Sequence, residues 1–129
     1  MEGYGYGNAI KQYEEQAIYT MSKGELLIKL YDAALKNLRC GAAFIKNGDE
    51  ANTEKCLDKA RDIFNYLSSI LDNKYEVSYN LHQLYYFFNQ EIIRAKIRRD
   101  AQVVEDIIPL VSDLRDSWAE AEKLVHMQK

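Results

Sequence analysis

At 129 residues, 47% hydrophobic and 29% charged, the chain is long enough to bury the core of one domain without disulfides or metals and too short for two. The composition excludes the low-hydrophobicity signature of disorder. A net charge of −3, with acids and bases interleaved, makes no field that would gather a polyanion, so nucleic-acid binding is disfavoured.

No apolar run approaches the ~20 residues of a membrane-spanning helix. The start, Met1-Glu2-Gly3-Tyr4, lacks the basic beginning and apolar stretch of a signal peptide, so the cytosol is the expected location. Cys40 and Cys56 are too few and too far apart for a zinc site or redox pair and read as small buried hydrophobes. Ten tyrosines against four Phe and one Trp are a surplus of the aromatic that suits half-wet interfaces.

Residues 1–12 contain Gly3-Tyr4-Gly5-Tyr6-Gly7-Asn8 and read as a flexible tail; residues 13–129 read as a single domain. Ile10, Tyr13, Ala17 and Ile18 punctuate a polar stretch that fits a short helix or an extended arm. Ser22-Lys23-Gly24-Glu25 has the form of a capping box, in which the serine hydroxyl bonds the third helical amide and Glu25 reaches back. The helix that follows carries Leu27, Leu30, Tyr31, Ala34, Leu38, Ala42 and Ile45 at the three-four spacing of one face. Asn47-Gly48-Asp49 ends it, and Asp49 is placed to cap the next.

A second helix, from about Ala51 to Leu71, repeats the rhythm in Cys56, Leu57, Ala60, Ile63, Phe64, Leu67, Ile70 and Leu71. After the turn Asp72-Asn73-Lys74, a third places Val77, Leu81, Leu84, Phe88, Ile92 and Ala95 on one face. Tyr85, Tyr86 and Ile93 fall beside that stripe, giving more apolar surface than one core contact requires. Asp100 is placed to cap a fourth helix with Val104, Ile107, Val111, Leu114, Trp118, Ala121 and Val125, and Pro109 within it predicts a kink or brief break. Four amphipathic segments joined by short turns predict an all-α, antiparallel up-down four-helix bundle.

Chemistry finds no foothold. A di-metal bundle needs Glu-x-x-His pairs facing inward, and the only histidines, His82 and His126, read as isolated surface residues. There is no phosphate-binding glycine loop, nucleophile elbow or Cys-His pairing, so neither enzyme activity, metal nor cofactor is expected. The basic run Arg94-Ala95-Lys96-Ile97-Arg98-Arg99 ends the third helix, where cations complement the macrodipole; a patch for an anionic partner is its second reading. The apolar surplus on the third helix fits a groove that receives an amphipathic or extended polypeptide.

The run Thr20-Met21-Ser22-Lys23-Gly24-Glu25-Leu26-Leu27-Ile28-Lys29-Leu30-Tyr31-Asp32-Ala33-Ala34 resembles the opening of the first long helix in the flagellar secretion chaperone FliS family. Asn47-Gly48-Asp49, Lys59-Ala60-Arg61-Asp62-Ile63, Asn80-Leu81 with Leu84-Tyr85, and Leu114-Arg115 with Trp118 follow in the family's order and spacing. The chain departs from the family's habits at Met21, Lys23-Gly24, Ala33 and Lys96. Gly24 weakens the first helical turn, and Ala33 adds a methyl where the family often has glycine.

The resemblance implies a bacterial cytosolic chaperone that binds the C-terminal region of flagellin, keeps it from polymerising early and helps deliver it to the flagellar type III export apparatus. The export gate and a co-chaperone are further implied partners, and the free form is a monomer or a homodimer. Leu27, Tyr31, Leu81, Leu84, Tyr85, Phe88 and Ile92 are expected to line or buttress the binding surface. Tyr4, Tyr6, Tyr13 and Ile18 are expected to cover the groove from the N-terminal arm. The competing readings are a helical adaptor or self-associating bundle without a secretion role, and a metal- or ligand-binding bundle enzyme.

Overall fold

The computed structural model describes residues 23–127, the side chain of His126 excepted. Ser22 of the expected capping box, the tail of residues 1–12 and the arm residues Tyr4, Tyr6, Tyr13 and Ile18 lie outside the described residues. Among the described residues there are four helices and no strand: α1 Lys23–Lys46, α2 Glu50–Ser69, α3 Glu76–Arg98 and α4 Ala101–Met127.

The turns explain where the helices stop. Gly48 takes a left-handed φ of 72°, a conformation that costs glycine nothing, and the Asp49 amide then donates to the Phe44 carbonyl at 3.0 Å. The Asp49 carboxylate accepts from the Asn52 amide at 3.1 Å and so caps α2, as expected. Its bonds to the Asn52 side chain and backbone hold its pKa below the usual carboxylate value. At the far end of α3, Arg99 is left-handed with φ 52°. Asp100 then accepts from the Gln102 amide at 3.0 Å, which caps α4.

α1 lies against α2 and α4, and α3 lies against the same two. Along α1 and α4, Tyr31 meets Trp118, Asp32 meets Arg115 and Lys46 meets Glu105. Along α2 and α3, Asp58 meets Lys96, Phe64 meets Phe88 and Ser68 meets His82. Numbers rise on one helix as they fall on its neighbour, which is the antiparallel up-down bundle.

α1 and α2 approach closely at Gly41. Gly41 is buried, and a Cβ on it would stand 2.5 Å from Leu57 Cδ2, so the spacing of the two helices depends on the atom glycine lacks. At the centre, the Phe64 ring lies 5.1 Å from Phe88 and 6.1 Å from Tyr85, within the range where aromatic pairs add to simple burial.

Four details depart from the periodic pattern. The buried face of α3 is Ser78, Leu81, Tyr85, Phe88, Ile92 and Ala95. Val77 is therefore exposed, Leu84 only half-buried and Tyr85 inward, because the Ser78 hydroxyl finds an acceptor in the Asp72 carbonyl at 2.6 Å and can be buried without loss. In α4, burial fades after Trp118, and Ala121 and Val125 are exposed. The helix runs unbroken through Pro109; the proline is exposed, so water can reach the carbonyl left without its amide donor. Cys40 and Cys56 are half-buried rather than the buried hydrophobes expected.

Candidate functional site

The bundle has two dissimilar ends. At the end formed by residues 47–49 and 99–100, charges are paired. Lys46 Nζ lies 2.5 Å from Glu105, Lys96 Nζ 2.7 Å from Asp58 and 3.7 Å from Glu54, and Arg99 pairs with Glu50. Arg94 bonds Glu91 on its own helix at 2.7 Å. The basic run of α3 is thus largely occupied within the molecule. A hollow of about 450 Å³ opens here, lined by Ile45, Thr53, Glu54, Lys96 and Arg99, and its charges already answer one another.

The opposite end carries an apolar cleft. Leu27 of α1, Leu67 of α2, Leu81 and Tyr85 of α3 and Trp118 of α4 line a cleft of about 210 Å³. All four helices contribute because all four converge at the 70–75 turn. Its rim is Ile70, Tyr75 and Val77, which are 44%, 61% and 58% exposed, far above what a buried apolar group tolerates.

Behind the cleft runs a hydrogen-bonded aromatic chain. The Trp118 indole N–H donates to the Tyr31 hydroxyl at 3.1 Å, and the hydroxyls of Tyr31 and Tyr85 bond each other. These two tyrosines join α1 and α3, which sit diagonally across the ring. Burial raises the pKa of both phenols above the ordinary tyrosine value, so they stay protonated donors at neutral pH. Beside them the Arg115 guanidinium bonds Asp32 at 2.8 Å. Tyr31 and Asp32 of one helix therefore face Arg115 and Trp118 of another, bringing together residues that the sequence holds more than eighty positions apart.

A second apolar feature runs along the outside of α3. Tyr79, Tyr86, Phe87 and Ile97 are 66%, 66%, 42% and 78% exposed, and at helical spacing they share one outward face with Gln83, Gln90 and Arg94.

Of the seven residues expected at the binding surface, Leu27, Leu81 and Tyr85 line the cleft. Leu84 is half-buried against the core. Tyr31, Phe88 and Ile92 are wholly buried and can act on a partner only by holding up the residues in front of them. The cleft wall Trp118, the rim residues Ile70, Tyr75 and Val77, and the outer residues Tyr79, Phe87 and Ile97 are not among those seven. The last three carried a readable signal, since apolar side chains stood opposite the core stripe. His82 is not isolated: its ring bonds Ser68 Oγ at 2.6 Å and Asn73 Oδ1 at 3.0 Å, tying α2 to α3.

Among the described residues no group of three or more His, Cys, Asp or Glu could hold a metal, and no helix is long and apolar enough to cross a membrane. The class defined by this geometry is a helical bundle that offers apolar surface at one end and along one helix, the equipment of a polypeptide-binding protein.

A family model described as "Flagellar protein FliS" matches residues 6–125, and the chain belongs to the FliS family. It is 29% identical over 114 residues to the flagellar secretion chaperone FliS of Bacillus subtilis, covering 88% of this chain and 86% of that protein. The chaperone of the same name from Salmonella typhimurium is 31% identical over 107 residues, 81% of this chain and 79% of its own length. That from Escherichia coli is 29% identical over 110 residues, with coverage of 83% and 81%. FliS proteins are flagellar chaperones and not enzymes.

Proposed function

We propose that this protein is a cytosolic export chaperone that holds the C-terminal region of flagellin, prevents its premature polymerisation and assists its delivery to the flagellar type III export apparatus. The observation that carries the reading is the pairing of an apolar end cleft with an exposed apolar row along α3 in a chain of this family. A polypeptide that is disordered when free can lay one apolar segment along α3 and another over the cleft, ordering as it binds. Leu27, Leu81, Leu84 and Tyr85 are proposed to contact it directly, with Tyr31, Phe88 and Ile92 as their support. The export gate and a co-chaperone are proposed as further partners.

The test is calorimetric titration with a peptide spanning the C-terminal region of the same organism's flagellin. Tight one-to-one binding with a large negative heat-capacity change supports the reading. The double variant Tyr86→Asp, Gln90→Asp, at two exposed positions, should bind at least about tenfold more weakly while its stability stays within about 1 kcal/mol. Deleting residues 1–12 should tighten binding if that segment competes for the groove. A folded protein that ignores the peptide and sediments as a tight dimer would instead support a self-associating bundle without a secretion role.

A further inference from the structure

The outward face of α3 has a rhythm of its own. Tyr79, Gln83, Tyr86, Gln90, Ile93 and Ile97 follow one another at intervals of four, three, four, three and four residues, the spacing of a two-helix seam. They form a narrow stripe almost opposite the buried face of Leu81, Tyr85, Phe88, Ile92 and Ala95. Tyr79, Tyr86 and Ile97 are more than half exposed, Gln83 and Gln90 are exposed, and Ile93 is half-buried. From Tyr79 to Ile97 the stripe runs about 27 Å.

Its two ends carry opposite charge. Glu76 opens α3 and Arg98 closes it. Both are exposed, and neither makes an ion pair among the described residues, whereas Arg94 is held by Glu91 and Arg99 by Glu50.

The six positions are symmetric about residue 88. Laid antiparallel on a second copy of itself, the stripe sets Tyr79 against Ile97, Gln83 against Ile93 and Tyr86 against Gln90. The same pairs recur across the two-fold axis, as an isologous interface requires. Glu76 then comes within about 3 Å, measured along the helix axis, of Arg98 of the second copy, and the two helix dipoles run opposite ways. A parallel pairing would instead set Glu76 on Glu76 and Arg98 on Arg98, where like charges repel. The stripe is therefore its own complement in one orientation only.

We infer that the outer stripe of α3 is a self-association seam, through which two copies of this chain pair antiparallel about a two-fold axis near residue 88. One helix pair makes a small interface, so the association is weak and depends on concentration. Under the chaperone reading, the same row is offered to the exported polypeptide. On that reading the two occupants exclude each other, and the free protein covers its own apolar row until a guest displaces the second copy.

The test is sedimentation of the full chain over a range of concentrations. The unaltered protein should shift from monomer toward dimer as concentration rises. Ile97→Asp, at a 78% exposed position, should leave a folded monomer. Glu76→Arg and Arg98→Glu should each weaken the dimer about three- to tenfold, because each reversal turns two attractions into repulsions. The double variant Glu76→Arg, Arg98→Glu should restore it, a rescue that a mere loss of stability cannot imitate. An unaltered protein that stays monomeric at every concentration, a dimer indifferent to Ile97→Asp, or a double variant no better than the single ones would overturn the seam. Adding the flagellin peptide should convert the dimer into a one-to-one complex, and a two-to-two complex would overturn the exclusion. A dimer that ignores the peptide sinks the chaperone reading and keeps the seam; a lasting monomer that binds the peptide does the reverse.

Discussion

The two ends of the bundle are built from the same four helices and come out as opposites. Where residues 47–49 and 99–100 turn, Lys46, Lys96 and Arg99 are each matched by a carboxylate, so the surface is electrically closed. Where residues 70–75 turn, apolar side chains from every helix meet around an open cleft, and Ile70, Tyr75 and Val77 stand in water. The lesson is that one end is closed by its own ion pairs, while among the described residues the other leaves apolar side chains exposed. Exposed ion pairs contribute little to stability, whereas exposed apolar area is the kind of surface whose burial drives association.

The comparison breaks most severely if its common support is removed. Phe88 is wholly buried between both ends, and Phe88→Ala should cost about 3–5 kcal/mol in urea unfolding, lowering stability and binding together. A smaller, pH-controlled effect belongs to the apolar end alone. Tyr31 and Tyr85 have pKa values raised by burial above the ordinary 10.0. Once the unfolded chain begins to release these two protons, the folded chain retains them, so stability is fully present below pH 10 and falls as pH rises beyond it. The expected slope is about 1.4 kcal/mol per pH unit for each retained proton. Urea melts across that range should show it, and a double variant Tyr31→Phe, Tyr85→Phe should flatten it.

The smallest effect belongs to the charged end. Lys96→Met removes a half-buried partner of Asp58 and Glu54 and should cost no more than about 1 kcal/mol, with flagellin binding unchanged. A large loss of binding in this variant would mean that the ends are not divided as described.

Much of the fold was legible because helix-forming chemistry is local. Three-four spacing placed all four helices, and Gly48, Asp49 and Asp100 marked their boundaries through turn and cap geometry. What stayed hidden depended on neighbours. Ser78 looks polar in a sequence and Tyr85 falls beside the core stripe, yet both are buried, with hydrogen-bond partners in Asp72 and Tyr31. Val77 and Val125 look like core residues and are exposed. The cleft was harder still, since Ile70 reads as one more position of the second helix's apolar stripe and Tyr75 comes from a turn with no period to read. The motif residues that carried the family resemblance, Tyr31, Asp32, Arg115 and Trp118, proved to be one cluster in space, a relation that only a tertiary structure can supply.

Trp118 is the chain's single tryptophan, and it stands half-buried in the wall of the cleft with its N–H engaged by Tyr31. The molecule therefore carries a built-in optical reporter at the place where a guest would sit. Covering that wall would strip water from the indole and shift its emission toward shorter wavelengths. Seating and release could then be followed in an unlabelled protein, on the timescale of mixing, by the colour of its own fluorescence.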